Sequence, residues 1–377
     1  MDRRSALQTL GVLAASAALE SCAGKRITRA ATAPAPTQRP LLKLPKVNVS
    51  PEREIRTVVG LRPFRPSGFV VATQKLDDKL IVHNYGHGGG GVTLSWGTGE
   101  LASREVDASG GKDVAVLGCG AVGLATARLL QERGYTVTIY AKDLPPNTTS
   151  NIAGAQWSPA YVFDHDRIAP GFRLRLIEAC HLANRRYQVM VGPRYGIRWL
   201  PNFYMGDEPI PSGGLLSPDG PLRDLFAEMR YLEASENPFP FPAVLQFDTM
   251  IIEPNRYLPA VMDDFHLAGG RIVVQEFHTP AELQTIPQPV IVNCTGLGAK
   301  ALFGDEELTP IKGQLTVLLP QAEIDYCTLP PDLYMFPRSD GILLGGTHEA
   351  GVWSLEPNLE AKQRILAEHA RIFQQMR

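Results

Sequence analysis

The stretch that most constrains this chain is Val114–Gly123, VAVLGCGAVG. Four apolar residues in a row suit a strand buried on both faces. Gly118, Gly120 and Gly123 follow at G-x-G-x-x-G spacing, with Ala121 and Val122 between the last two. The next residues, LATARLLQERG, place Leu124, Ala127, Leu129 and Leu130 on one helical side and stop on Gly134. Tyr135–Tyr140, YTVTIY, supplies a second strand and closes a βαβ unit. Each glycine has a physical task in such a unit: Gly118 permits the tight turn, Gly120 lets a pyrophosphate approach the backbone, and Gly123 lets helix and strand pack closely. The helix N-terminus then offers N–H groups and positive dipole to phosphates. The pattern predicts dinucleotide binding.

A length of 377 residues allows two domains with a large core. The net charge of −2, without a basic patch, argues against a nucleic-acid partner. Residues 1–24 read as a twin-arginine leader: Arg3 and Arg4 precede an apolar run, Ala6–Leu19, too short and Ala-rich for a membrane span. Leu19-Glu20-Ser21-Cys22 has the outline of a lipoprotein cleavage box, with Cys22 as a candidate lipid anchor; plain cleavage farther on is the alternative. The leader implies an exported protein, periplasmic or extracellular. Residues 25–55, rich in Pro, Ala, Thr and Lys at their start, read as a tether. The five cysteines contain no C-x-x-C pair, which argues against a metal site and leaves disulfide pairing open.

Residues 56–105 precede the dinucleotide unit and carry their own signal. Ile81–Tyr85 reads as a strand, Gly86 and Gly88–Gly91 as a loop, and a helix starts near Thr93. His83 and His87 stand four apart, but the glycines forbid the helix that would make them a metal pair. Gly88, Gly89, Gly91, Val92 and Thr93 therefore form a second helix terminus able to stabilise an anion. After Tyr140, Asp143 lies 25 residues beyond Gly118, in range for a ribose-binding carboxylate. Thr148, Thr149 and Ser150 are hydroxyls in a loop, able to bond cofactor atoms or to cap the next element. Helices are expected over 166–192, with Leu174, Ile177, Cys180 and Leu182 on the apolar side, over Asn255–Ala268 and over Pro357–Gln375. Strands are expected at Tyr195–Leu200, Leu245–Ile252, Arg271–Phe277, Pro289–Cys294, Lys312–Leu319, Leu333–Phe336 and Gly341–Gly346.

Several of these segments resemble the D-amino-acid oxidase family of FAD flavoproteins: HNYGHGGGGVTLSWG at 83–97, NTTSNIAGAQWSP at 147–159, VIVNCTG at 290–296, LYMFPRSDGILLGG at 333–346 and GLRPFRP at 60–66. The resemblance implies an α/β fold, a Rossmann-like FAD-binding domain with a second α+β substrate domain on an antiparallel or mixed sheet. In the family the last two motifs of the chain are those found here at 60–66 and 83–97, so the order implies a circular permutant. The implied layout is an FAD domain at 56–194, 253–309 and 351–377, and a substrate domain at 195–252 and 310–350. Gly118, Gly120 and Gly123, with Ala121 and Val122, would hold the FAD pyrophosphate; Asp143 the ribose; Thr148, Thr149 and Ser150 the flavin side; and Gly88, Gly89, Gly91, Val92 and Thr93 the flavin's pyrimidine edge. Arg62 and Tyr334 would bind the substrate carboxylate, with Gly89 near the substrate, in a reaction that passes a hydride from a D-amino acid to flavin and electrons on to dioxygen. Other outcomes of the same fold are a glycine- or sarcosine-type amine oxidase, an amino-acid dehydrogenase, or a non-catalytic flavin-binding protein. Three departures stand out: Lys142 at the family's acidic ribose position, Pro330 in place of a second active-site tyrosine, and Gly90 where tyrosine is common.

Overall fold

The computed structural model of the protein describes residues 39–377. The leader, Cys22 and the first part of the tether lie outside the described residues. In chain order the strands are β1 (Glu54–Phe64), β2 (Val70–Leu76), β3 (Lys79–Tyr85), β4 (Asp113–Leu117), β5 (Thr136–Ala141), β6 (Ile197–Gly206), β7 (Ala227–Tyr231), β8 (Ala243–Ile252), β9 (Arg271–Val274), β10 (Val290–Asn293), β11 (Thr309–Leu318), β12 (Cys327–Leu329), β13 (Tyr334–Arg338), β14 (Gly341–Gly345) and β15 (Glu349–Ala350). The helices are α1 (Gly91–Asp107), α2 (Ala121–Glu132), α3 (Thr149–Ile152), α4 (Phe172–Val189), α5 (Pro254–Leu267), α6 (Gly298–Phe303) and α7 (Leu359–Gln375).

The first sheet has the order β2-β3-β10-β4-β5-β9. Its strands are parallel except β2, which pairs antiparallel with β3 at the edge. Alternation explains why VAVL and the VIV of β10 are unbroken apolar runs. Val114, Val116 and Val292 pack with residues of α1, α2, α4 and α5, while Ala115, Leu117 and Ile291 pack on the other face with Leu283, Ile286 and Leu302. Helix α1 sits centrally because glycine lets its neighbours approach: a Cβ on Gly97 would lie 1.9 Å from the Ala179 carbonyl of α4. In α4 the inward side is Leu176, Ala179, Cys180, Ala183 and Tyr187; Leu174, expected on it, is exposed because the helix begins only at Phe172 and its phase differs.

The second sheet has nine strands in the order β1-β11-β14-β13-β12-β6-β8-β7, with β15 on β11. It is antiparallel except where β12 meets β6. Three expected boundaries are corrected here. Strand β1 belongs to this sheet, pairing with β11 from Glu54↔Leu318 to Phe64↔Thr309, and not to the cofactor sheet. Helix α7 also packs on this sheet: Ile365, Leu366, Ile372 and Phe373 share a core with Phe203, Leu318 and Leu344. The last part of the tether is no tether. Val47 is buried in that same core, the Tyr326 hydroxyl donates to Pro45 O at 2.6 Å, and Asn48 exchanges two hydrogen bonds with Gln321. Leu42, Leu44, Val47 and Val49 are the apolar residues that composition hid among prolines and lysines. Both sheets lie within one compact unit, Pro40–Arg377. Among the described residues no helix is long and apolar enough to cross a membrane.

Candidate active site

A cleft of 410 Å³ lies outside the carboxyl ends of β3, β4 and β10, the position where open parallel sheets bind ligands. A second chamber of 630 Å³ shares Gly118, Lys142, Asp143, Thr148 and Thr149 with it. The structure brings together in the cleft Arg62, Gly88, Gly89, Gly91, Val92, Thr93, Gly118, Gly120, Ala121, Val122, Asp143, Thr148, Thr149, Ser150 and Tyr334. These residues come from segments as far apart in the chain as Arg62 and Tyr334.

The glycine turn is built by close contacts. Gly118 has φ +101° and its N–H donates to Tyr140 O at 2.7 Å; a Cβ there would meet Cys294 O at 2.5 Å. Gly123 corrects an expectation: it does not line the cleft, and a Cβ on it would lie 2.0 Å from Gly118 O. Its role is to let α2 sit against the turn. At the start of α2, Ala121 N donates to Ser150 Oγ at 3.0 Å. The Ser150 hydroxyl thus stands at the helix N-terminus, the phosphate end, and not at the flavin side. Thr148 takes the capping alternative, bonding Asn151 Oδ1 at 2.7 Å. Asp143 has no side-chain partner among the described residues, whereas Lys142 pairs with Glu276 at 3.3 Å. That leaves Asp143 available where Lys142 is occupied.

The loop Ala153–Ser158 is held between β8 and the start of α1. Trp157 N donates to Met250 O at 2.7 Å, and Ile252 N to Ala155 O at 2.9 Å. On the other side Thr93 Oγ1 donates to Ser158 O at 3.0 Å. Two further expectations change there. Gly89 N–H is donated to Tyr161 O at 2.9 Å and is not free for a ligand, and the Thr93 hydroxyl is engaged by Ser158. His83 and His87 do not form a metal pair. His83 bonds Gln74 and Asn293, His87 bonds Thr98 and stacks on Phe69, and burial pushes their pKa values down to about 4 and about 3. Among the described residues no cluster of His, Cys, Asp and Glu could hold a metal, and Cys119, Cys180, Cys294 and Cys327 are free thiols.

At the other end of the cleft, β1 and β13 each deliver one polar side chain over a glycine. The Arg62 guanidinium lies above Gly313 of β11, where a Cβ would come within 2.4 Å of Nη2. The Tyr334 ring lies above Gly345 of β14, where a Cβ would come within 2.0 Å of Cζ, and it stacks on Phe336 at 4.9 Å. Arg62 donates to Thr347 O at 3.3 Å, and no carboxylate among the described residues pairs with it. An arginine held part-buried without an anion is poised to take one. Gly313, Gly345 and Asn84 were missed from the sequence. Two glycines inside strand patterns signal close approach of another group. Asn84 carried no such signal: it is buried in the cleft wall, gives Nδ2 to Thr126, and its Oδ1 has no partner.

An elongated two-chamber cleft, a helix N-terminus bearing one hydroxyl, a glycine turn closed to any side chain and an orphaned Asn84 oxygen fit a dinucleotide such as FAD. Together with the second sheet bearing Arg62, they define the class: a two-sheet flavoprotein oxidoreductase. Residues 113–377 match the family described as DAO, FAD dependent oxidoreductase, and the chain belongs to it. It is 31% identical over 271 residues to the D-amino-acid oxidase of Streptomyces coelicolor, covering 70% of this chain and 78% of that one. It is 28% identical over 262 residues to the D-aspartate oxidase of Homo sapiens, covering 67% and 74%. The fold is shared with the FAD-bound L-alpha-glycerophosphate oxidase of Mycoplasma pneumoniae at a TM-score of 0.50 and 15% identity, covering 70% of this chain and 79% of that one. The cofactor of the family is FAD.

Proposed function

We infer that this protein oxidises D-amino acids to keto acids and ammonia, with dioxygen reduced to hydrogen peroxide. The observation that carries the reading is Arg62 held over Gly313, without a carboxylate partner, at one end of a dinucleotide cleft. The likeness to D-amino-acid oxidases supports it. The Gly118–Gly120 turn, the α2 N-terminus, Ser150 and Asp143 would hold FAD, whose isoalloxazine supplies the two-electron acceptor. Arg62 takes the α-carboxylate in a bidentate grip, and the Tyr334 hydroxyl adds a hydrogen bond to it. Positioning then fixes which face of the substrate carbon presents its hydrogen, and with it the handedness. Among the residues lining the cleft the sole carboxylate is Asp143, at the ribose end, and His87 is buried against Thr98. Of the residues that line the cleft, neither Asp143, at the ribose end, nor the buried His87 is placed to take a proton from the ammonium, so the amine is expected to enter neutral and turnover to rise toward alkaline pH. The test is anaerobic addition of D- and L-alanine to the purified, flavin-loaded protein. Bleaching near the flavin band by the D-form alone is expected, followed by peroxide on admitting air. Bleaching by the L-form, or by neither, would end this reading, and bleaching without peroxide would make the protein a dehydrogenase.

We also infer that residues 54–107 are a transposed segment, the chain's end in its relatives. The family match begins at residue 113, yet β1 and β3 before it complete both sheets. Lys46 Nζ meets the Met376 carbonyl at 2.5 Å, so the path into β1 begins where α7 ends. Joining ends that already touch costs little. A chain starting at Lys112 and continuing from Arg377 into Pro40 is expected to fold and bind FAD. An insoluble or colourless product from that rearrangement would count against the transposition.

A further inference from the structure

Five non-glycine residues among those described have positive φ, and two of them, Ala155 and Tyr161, line the cleft. Tyr161 sits at φ +55° and is 60% exposed. A left-handed aromatic residue is unfavourable and persists only where its surroundings fix it. They do. Gly89 N–H donates to Tyr161 O at 2.9 Å, a Cβ on Gly90 would lie 2.8 Å from the buried Val162 next to it, and Asp164 N donates to Pro66 O at 2.9 Å. The backbone is pinned on both sides of Tyr161, a residue that lines the cleft and stays exposed.

Among the described residues the Tyr161 ring packs against one other ring. Tyr161 meets the imidazole of His348 at 5.0 Å between centroids. His348 follows Thr347, whose carbonyl receives the Arg62 guanidinium. Burial first, and then the Arg62 charge, hold the imidazole below its ordinary pKa, which disfavours a second cation beside the guanidinium. We propose that Tyr161 and His348, delivered by two separate loops, form the gate over the Arg62 end of the cleft and set the size of side chain it admits. The gate rests on the reading of the protein as a D-amino-acid oxidase. It lies elsewhere in the chain than Pro330, the position at which the family resemblance leads one to expect a second active-site tyrosine. A strained, pinned backbone suits such a wall, because a size limit requires a ring that does not swing aside.

The test compares the flavin-loaded wild type with Tyr161→Ala, Tyr161→Phe and His348→Ala. Steady-state kinetics are read with D-alanine and with D-phenylalanine, and FAD affinity by fluorescence titration of the apoprotein. Tyr161→Ala is expected to raise the D-phenylalanine to D-alanine ratio of kcat/KM about 10-fold or more, chiefly through KM, the scale on which a pocket wall discriminates by size. His348→Ala should move the ratio the same way, and Tyr161→Phe should restore it to within about 2-fold of wild type, since the ring and not the hydroxyl is the wall. FAD affinity should stay within about 3-fold throughout, because the gate lies at the far end from the phosphate turn. An unmoved ratio in Tyr161→Ala, with FAD affinity intact, overturns the gate and leaves the oxidase reading standing. A loss of FAD affinity equal to the loss of activity overturns it too, as a structural effect. If wild-type flavin is reduced by neither amino acid, the oxidase reading falls and the gate falls with it.

Discussion

Replacing Arg62 by alanine is expected to raise KM for D-alanine about 100- to 1,000-fold, the equivalent of about 3–4 kcal/mol, with FAD still bound. The expectation follows from what surrounds the guanidinium. It is part-buried over Gly313, it donates to the Thr347 carbonyl, and no carboxylate among the described residues competes for it. A substrate carboxylate would therefore be its first full charge partner, and removing the guanidinium would leave that carboxylate to Tyr334 alone. FAD should remain because the glycine turn and Ser150 are carried by β4, α2 and α3, while Arg62 is carried by β1 of the other sheet. Arg62→Lys should recover only part of the loss, since a single ammonium cannot reproduce the two-point grip. The measurements are steady-state kinetics with D-alanine and the flavin-to-protein absorbance ratio. Unaltered KM in Arg62→Ala would move the carboxylate site elsewhere.

How much of this was legible beforehand depended on what kind of signal each part leaves. The βαβ unit was legible because a glycine spacing, an apolar run and a helix stop must coincide there for steric reasons; the strand falls at its expected bounds to within one residue, and the helix begins at Ala121, ahead of the expected Leu124. The convergence of Arg62 with Gly118 was legible through motifs, not through periodicity, since nothing in β1 alone says which sheet it joins. β1 was assigned to the wrong sheet for that reason: its register against β11 is a tertiary fact, set by 250 residues of intervening chain. Residues 40–50 failed in the opposite way. Prolines and lysines read as tether, but an extended segment needs no periodicity to bury Val47, only a groove, and the groove belongs to α7 and the far sheet. Tyr161 and His348 left no signal at all, because a left-handed residue and a ring contact between distant loops exist only once the fold does.

The largest structural effect is expected from Gly123→Ala, and its sign is the informative part. In the interior of an exposed helix, glycine to alanine stabilises by about 1 kcal/mol. Here the new methyl would stand 2.0 Å from the Gly118 carbonyl oxygen and 2.9 Å from its carbon. Both are backbone atoms, so no side-chain rotation relieves the clash. Gly118 cannot retreat either: its N–H is bonded to Tyr140 O, and Cys294 O lies on its other side. The first turn of α2 must therefore lift away from β4, and it carries Ala121 N and the Ser150 contact with it. Overpacking against fixed atoms costs about 1–3 kcal/mol or more, so alanine should destabilise where propensity alone says it stabilises. The displaced N-terminus no longer faces the phosphates, and FAD affinity should fall about 100-fold or more. Gly97→Ala separates the two consequences: its methyl would strike Ala179 O at 1.9 Å, between α1 and α4, and not the Gly118 carbonyl. That variant should lose thermal stability while any protein that folds keeps its FAD affinity. Thermal melts of the apoproteins and fluorescence titration with FAD measure both quantities. A Gly123→Ala protein that melts higher than wild type, or that takes up FAD as tightly, would mean that helix and strand do not meet at this glycine, and the phosphate site would have to be sought away from the turn.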